Sequence, residues 1–215
     1  MTNSLPARAH ILKSIQQSLA KPGAALTKEG EAFARAYRRT GVLSIEDRIS
    51  LFEECLREYD VRVQRIRREE IAGGIAERLH TLSKSKVAIP KSLPTEWLSE
   101  GIRFTPADFL SARELESFDS VLTGCTVAVA VSGSVVLQNA EAQGPRQLSL
   151  IPDFHLCIVF AEQIVETLPE AFERLANTAT LPTTFISGPS ATSDIEMTRV
   201  RGVHGPRTLD VLIAM

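Results

Sequence analysis

Near the C-terminus, two short pieces carry side chains able to do chemistry. Gly188-Pro189-Ser190-Ala191-Thr192 runs into Ser193-Asp194-Ile195-Glu196, and His204-Gly205-Pro206-Arg207 follows a few residues later. A loop of Gly, Ser and Thr between a strand and a helix start gathers hydroxyls and free amides around an electropositive point. Carboxylates and phosphates bind at such points. Gly188, Ser190, Thr192 and Ser193 are therefore candidate ligand-binding residues for a small organic acid or a phosphate-bearing ligand. Asp194 and Glu196 are candidate catalytic acid–base groups. His204 is a third, because an unperturbed imidazole titrates near neutrality. Arg207 offers a bidentate clamp for a carboxylate.

Each of these residues also has a plainer explanation. Ser193 and Glu196 have the spacing of a capping box, in which the hydroxyl and the carboxylate each take a backbone amide. Asp194 and Glu196 suit the positive start of a two-turn helix, Arg199 and Arg201 its negative end, and Gly202 a left-handed stop. His204 serves equally well as a hydrogen-bonded loop histidine, and Arg207 as a surface partner of Asp210. Geometry adds a fork, because a two-turn helix spans about 12 Å. If the flanking strands lie parallel in one sheet, the Ser190 loop and the His204 loop sit at its opposite ends. They share a site only if the last strand runs antiparallel or a second subunit of a homo-oligomer completes the pocket.

The elements that must position these loops are legible as patterns. "PTTFIS" before Gly188 and "TLDVLIA" after Arg207 are β-branched, apolar runs that read as strands. Upstream, from Val61, short β-rich runs ("VRVQRI", "KVAIP", "GIRF", "HLCIVF") alternate with helical ones ("REEIAGGIAERLHTL", "ARELESFDSVL", "LPEAFERLA"), the signature of a βαβ sheet protein. "CTVAVAVSGSVVLQ" reads as a hairpin turning at Ser132-Gly133. Three helices are expected before Val61, over 8–20, 28–39 and 45–58. The last begins at Ser44, a capping residue, and carries a stripe of Ile45, Ile49, Phe52 and Leu56. The expected organisation is an N-terminal helical arm, residues 1–58, and an α/β domain, residues 59–215.

Composition narrows the function classes. The 215 residues are 44% hydrophobic with a formal net charge of -2, so no basic field points to nucleic acid. Five arginines between Arg57 and Arg68 lack interleaved aromatics and run into Glu69-Glu70, which suits a solvated edge. No stretch approaches the ~20 apolar residues of a membrane helix, and no secretory leader is recognisable, so a cytoplasmic protein is expected. Cys55, Cys125 and Cys157 are widely spaced, with no Cys-x-x-Cys and no close His/Cys pair. Neither an iron–sulfur cluster nor a zinc site is expected from this chain alone.

Three stretches carry a resemblance: "TGCTVAVAVSGSVVL", "LIPDFHLCIV" and "FISGPSATSDIEMTRVRGVHGPRTLDVLI". Over about residues 60–215 the chain resembles the LUD-domain family, and within it the lactate utilization C branch. The resemblance implies a NagB/RpiA/CoA transferase-like α/β sheet flanked by helices. It also implies a non-redox subunit of an L-lactate-oxidising complex, with the redox centres on iron–sulfur partner proteins. A stand-alone enzyme acting on a sugar phosphate or an acyl-CoA, with Glu196 as its carboxylate, and a regulatory or scaffolding module are the alternatives. Gly133 and Ser134 match the family's turn and join the candidate ligand-binding residues. Val131 stands where the family carries an acidic residue, so no role of that carboxylate transfers. Arg146 and His155, in "GPRQLSLIPDFH", are lower-ranked candidates, with His155 flanked by apolar residues as a buried structural histidine would be. The cofactor stays open.

Overall fold

The computed structural model describes residues 5–20, 38–192, 200–202 and 205–215. They fall into two compact units, residues 1–37 and 38–215. The described part of the first is helix α1 (Leu5–Ala20), on which Ile11, Leu12 and Ile15 are exposed. Of the helix expected over 28–39, residues 28–37 lie outside the described residues. Among the described residues no helix is long and apolar enough to cross a membrane.

The second unit runs α2 (Ile45–Glu58), β1 (Arg62–Ile66), α3 (Ile71–Thr81), β2 (Lys86–Ile89), β3 (Arg103–Pro106), α4 (Ala112–Leu115) and β4 (Ser120–Thr123). There follow β5 (Val127–Val129), β6 (Ser134–Gln138), β7 (Phe154–Phe160), β8 (Ile164–Val165), α5 (Leu168–Leu175) and β9 (Thr183–Ser187). The chain ends with β10 (Ala191–Thr192), β11 (Val200–Arg201) and β12 (Thr208–Ala214). Six strands form an all-parallel sheet in the order β1-β12-β7-β4-β2-β3. A second sheet, β8-β5-β6-β9, is antiparallel except where β8 joins β5.

Parallel strands buried on both faces read as continuous apolar runs, and β7 and β12 do. On β12, Leu209, Val211 and Ile213 face a core shared with Ile49, Phe52 and Leu56 of α2 and with Ala128 and Val135 of the second sheet. Leu212 and Ala214 point the other way, onto Ile71, Ile75 and Leu79 of α3. This alternation is the period of two that an extended chain imposes. α5 covers the outer face of the second sheet through Ala171 and Leu175. The result is a mixed α/β architecture, a mainly parallel central sheet flanked by helices, as the alternating pattern predicts.

α2, grouped with the arm in the sequence, packs into this core. Its start is the expected cap, with the Asp47 amide donating to Ser44 Oγ at 3.1 Å. The hairpin also forms at the expected place, β5 and β6 pairing across Gly133 at φ 55. One run differs from expectation. "ARELESFDSVL" is not one helix: α4 ends at Leu115, and Ser120–Thr123 is a fully buried strand between β2 and β7. Asp119 ends the helical stretch, its carboxylate accepting the amides of Ser85 and Lys86 at 3.1 and 3.0 Å. A four-residue strand buried on both faces has no periodicity to show in sequence.

Candidate active site

The fork over the two C-terminal loops resolves in a third way. β9 and β12 belong to different sheets, and between them β10 and β11 pair as an antiparallel ribbon that turns the chain back. Val200 and Arg201 are therefore extended rather than the end of a helix. The Ser190 amide donates to Pro206 O at 2.9 Å, and Ser190 O accepts the Gly202 amide at 2.8 Å. One chain thus brings both loops together without a second subunit. Gly188 makes the bend at φ 82, with Tyr59 so close behind that a Cβ would stand 2.6 Å from the Tyr59 Cβ. A side chain is excluded there on both counts.

The loops line a half-open cavity of about 240 Å³. At ~30 Å³ for each water in the liquid, that is room for about eight waters or one small ligand. Phe185 through Ala191 form one wall and Gly205, Pro206 and Leu209 a second, while Arg146, Ser149 and His155 complete the lining. The cavity lies at the amino ends of β7 and β12, since His155 and its neighbour Leu209 are each the second residue of their strand. Open parallel sheets more often bind ligands at the carboxyl ends. Here the carboxyl end of β9, in the other sheet, supplies the loop.

His155 is 1% exposed. Its Nε2 lies 2.8 Å from Thr123 Oγ1, while its Nδ1 is buried without a partner. Burial, and second the nearby Arg146 cation, push its pKa down to about 4, so the ring is neutral at physiological pH. Arg146 donates from Nη1 to Ser149 Oγ at 3.2 Å, and among the described residues no carboxylate pairs with it. Desolvation lowers its pKa. No Asp or Glu lines the cavity among the described residues. A cation with no carboxylate beside it among the described residues, next to a neutral hydrogen-bonding ring, is an arrangement complementary to a small anion.

The residues singled out from sequence fall in three places. Gly188 and Ser190 line the cavity. Gly133 and Ser134 do not: Gly133 is backed by Cys55 of α2, and Ser134 Oγ lies 2.6 Å from Ser187 Oγ, behind the cavity wall. Thr192 lies in β10, paired with Val200. Arg207 pairs with Asp153, Nε to Oδ1 at 3.4 Å, rather than with Asp210, which is buried against Arg78 of α3. Ser193, Asp194, Glu196 and His204 lie outside the described residues, and with them the proposed capping box. Val131 is exposed on the hairpin, its amide donating to Glu166 O at 3.2 Å. Arg146 and His155, ranked low in sequence, come to the centre, and Ser149 was missed. The three-residue spacing of Arg146 and Ser149 in one turn was the available signal.

Among the described residues no group of three or more His, Cys, Asp or Glu side chains is arranged to hold a metal ion. Cys125 and Cys157 are buried free thiols, and Cys55 is half-buried.

The parallel sheet, the hairpin sheet packed on it and the cavity between their loops define the class. The LUD domain profile matches residues 51–214, and the chain belongs to the LUD domain family. It is similar to "Lactate utilization protein C" of Deinococcus radiodurans, with 42% identity over 176 residues, 80% of this chain and 81% of that protein. "Lactate utilization protein C" of Bacillus subtilis (strain 168) is 32% identical over 153 residues, 61% of this chain and 63% of that protein. A crystal structure of a DUF162 family protein from Deinococcus radiodurans matches with a TM-score of 0.72 at 36% identity, covering 81% of this chain and 100% of that one.

Proposed function

We propose that this protein is a non-redox component of an L-lactate-oxidising system, acting with iron–sulfur partner proteins, and that its cavity receives a small organic acid. The observation that carries the ligand reading is Arg146, a cation facing a small cavity with no carboxylate beside it among the described residues. A carboxylate there completes the charge balance and gains charge-assisted hydrogen bonds, each worth about 1.5–3 kcal/mol. The role in lactate utilization comes from the names of the relatives, two of which span most of this chain's length.

Two measurements test this. Deleting the gene in a strain with no other lactate oxidase abolishes growth on L-lactate, and tagged protein co-purifies with iron–sulfur proteins. Unimpaired growth of that strain refutes the lactate role. Titration calorimetry of the purified chain with short carboxylates detects binding, and Arg146→Gln weakens it at least about tenfold, the equivalent of ~1.4 kcal/mol. Binding that is indifferent to Arg146 refutes the cavity as the acid site.

A further inference from the structure

The edges of the two larger sheets are not built alike. An edge strand points every second peptide group outward, unpaired, and proteins blunt such edges with charge, proline or brevity. In the six-stranded sheet, β1 carries Arg62 and Arg65, and β3 carries Arg103 and ends at Pro106. In the second sheet, β8 is only two residues long. β9, at the other edge, is Thr183-Thr184-Phe185-Ile186-Ser187, five residues with no charge and no proline. Its ladder partner is β6, and among the described residues no other strand pairs with it. The surface beside this edge is apolar as well. Phe185 stands opposite Val136, on the face of the sheet that α5 covers. Its ring lies 5.7 Å from that of Phe172 of α5, and the two side chains are 39% and 58% exposed. Leu168, one turn before Phe172, is exposed too. Exposed aromatics gathered beside an open edge mark a protein–protein contact.

We propose that β9 pairs antiparallel with β9 of a second copy of this chain, joining two four-stranded sheets into one of eight strands across a two-fold axis. Such an axis sets the same surface patch of both copies together, so like meets like. An edge with charges is ill suited to that. β1 would crowd the arginines of both copies, whereas β9 brings only uncharged side chains together. The register that pairs all five residues of both strands sets Phe185 against Phe185 of the partner subunit. Phe172 extends the aromatic contact outward from that centre. Because the strands run antiparallel, the Gly188 bend that follows β9, and with it the cavity, falls at opposite ends of the pair in the two copies. The pairing is independent of what the cavity binds.

Sedimentation equilibrium of the full chain tests the pairing. The wild type sediments at twice the 23.5 kDa of one chain. Phe185→Lys and Phe185→Glu each weaken self-association at least about tenfold, the equivalent of ~1.4 kcal/mol, because like charges then face each other across the axis. An equimolar mixture of the two variants recovers the double mass, since opposite charges now pair. Circular dichroism melts check that both variants fold. If either does not, hydrogen exchange of the wild type decides: the amides of residues 183–187 become more protected as protein concentration rises. A wild type that sediments as one chain overturns the proposal. So does a dimer that neither charge variant weakens, a mixture of folded variants that stays monomeric, or exchange in β9 that is indifferent to concentration.

Discussion

The amide of Ser190 donates to the carbonyl of Pro206 at 2.9 Å, and this bond ties the loop after β9 to the loop before β12. The two loops leave different sheets, yet they close on one cavity that neither could form alone. Gly188, one bend earlier, sets the path that makes the bond reachable.

Gly188 is accordingly the most sensitive backbone position at the cavity. An alanine there must adopt φ 82 and place its Cβ against Tyr59. Gly188→Ala is expected to cost about 2 kcal/mol or more. Urea unfolding reads the loss as a lower midpoint at unchanged slope, and carboxylate affinity falls with it. A variant of wild-type stability and affinity would show that the bend is dispensable.

His155 predicts a pH dependence with a definite sign. Its pKa is about 4 in the folded protein, against the ordinary imidazole value of 6.5. Between those values the unfolded chain binds the proton and the folded chain does not, so stability rises with pH. The contribution is fully present above pH ~6.5 and is lost as pH falls toward ~4, to the extent of roughly 3 kcal/mol. Comparing His155→Gln with wild type from pH 7 to 5 isolates the effect: the variant has the flatter profile. Parallel profiles would contradict it.

Glu166, 1% exposed, anchors the chain entering the second unit. Its Oε2 accepts the amides of Val42 and Leu43 at 2.6 and 2.8 Å, and its other oxygen pairs with Arg38. Glu166→Ala leaves those amides without a partner and costs roughly 1–3 kcal/mol. Trypsin then cuts faster after Arg38 and Arg39, and mass spectrometry of the early fragments shows it. Unchanged cleavage there would mean that other contacts hold the segment.

The helix at 45–58 decides where the chain can be shortened. A chain beginning at Arg38 keeps Ile49, Phe52 and Leu56 in the core and unfolds cooperatively. One beginning at Tyr59 loses all three. At about 2–5 kcal/mol for each large apolar side chain removed, the sum reaches the whole ~5–15 kcal/mol of a domain's stability. Circular dichroism through a thermal melt separates the two. Cooperative melting of the shorter chain would show that α2 is peripheral.

Local features were readable from the residues themselves. Ser44 marks a helix start because its hydroxyl serves an amide three residues on, and Gly133 marks the hairpin because the turn needs a left-handed residue. The alternation of apolar runs with helical stripes determined a sheet flanked by helices, and the Gly188 loop was already a candidate. What the sequence left open was every relationship between distant segments. The strand at Ser120–Thr123 is buried on both faces, so it has no period to betray it. Assignment of β9 and β12 to separate sheets depends on which apolar faces fit together, and no single run encodes that. Only the tertiary structure could bring Arg146, His155 and Ser190 around one cavity and leave one nitrogen of His155 buried without a partner. Those residues meet through packing across many tens of residues, whereas sequence pattern reaches only as far as a turn of helix or a pair of strands.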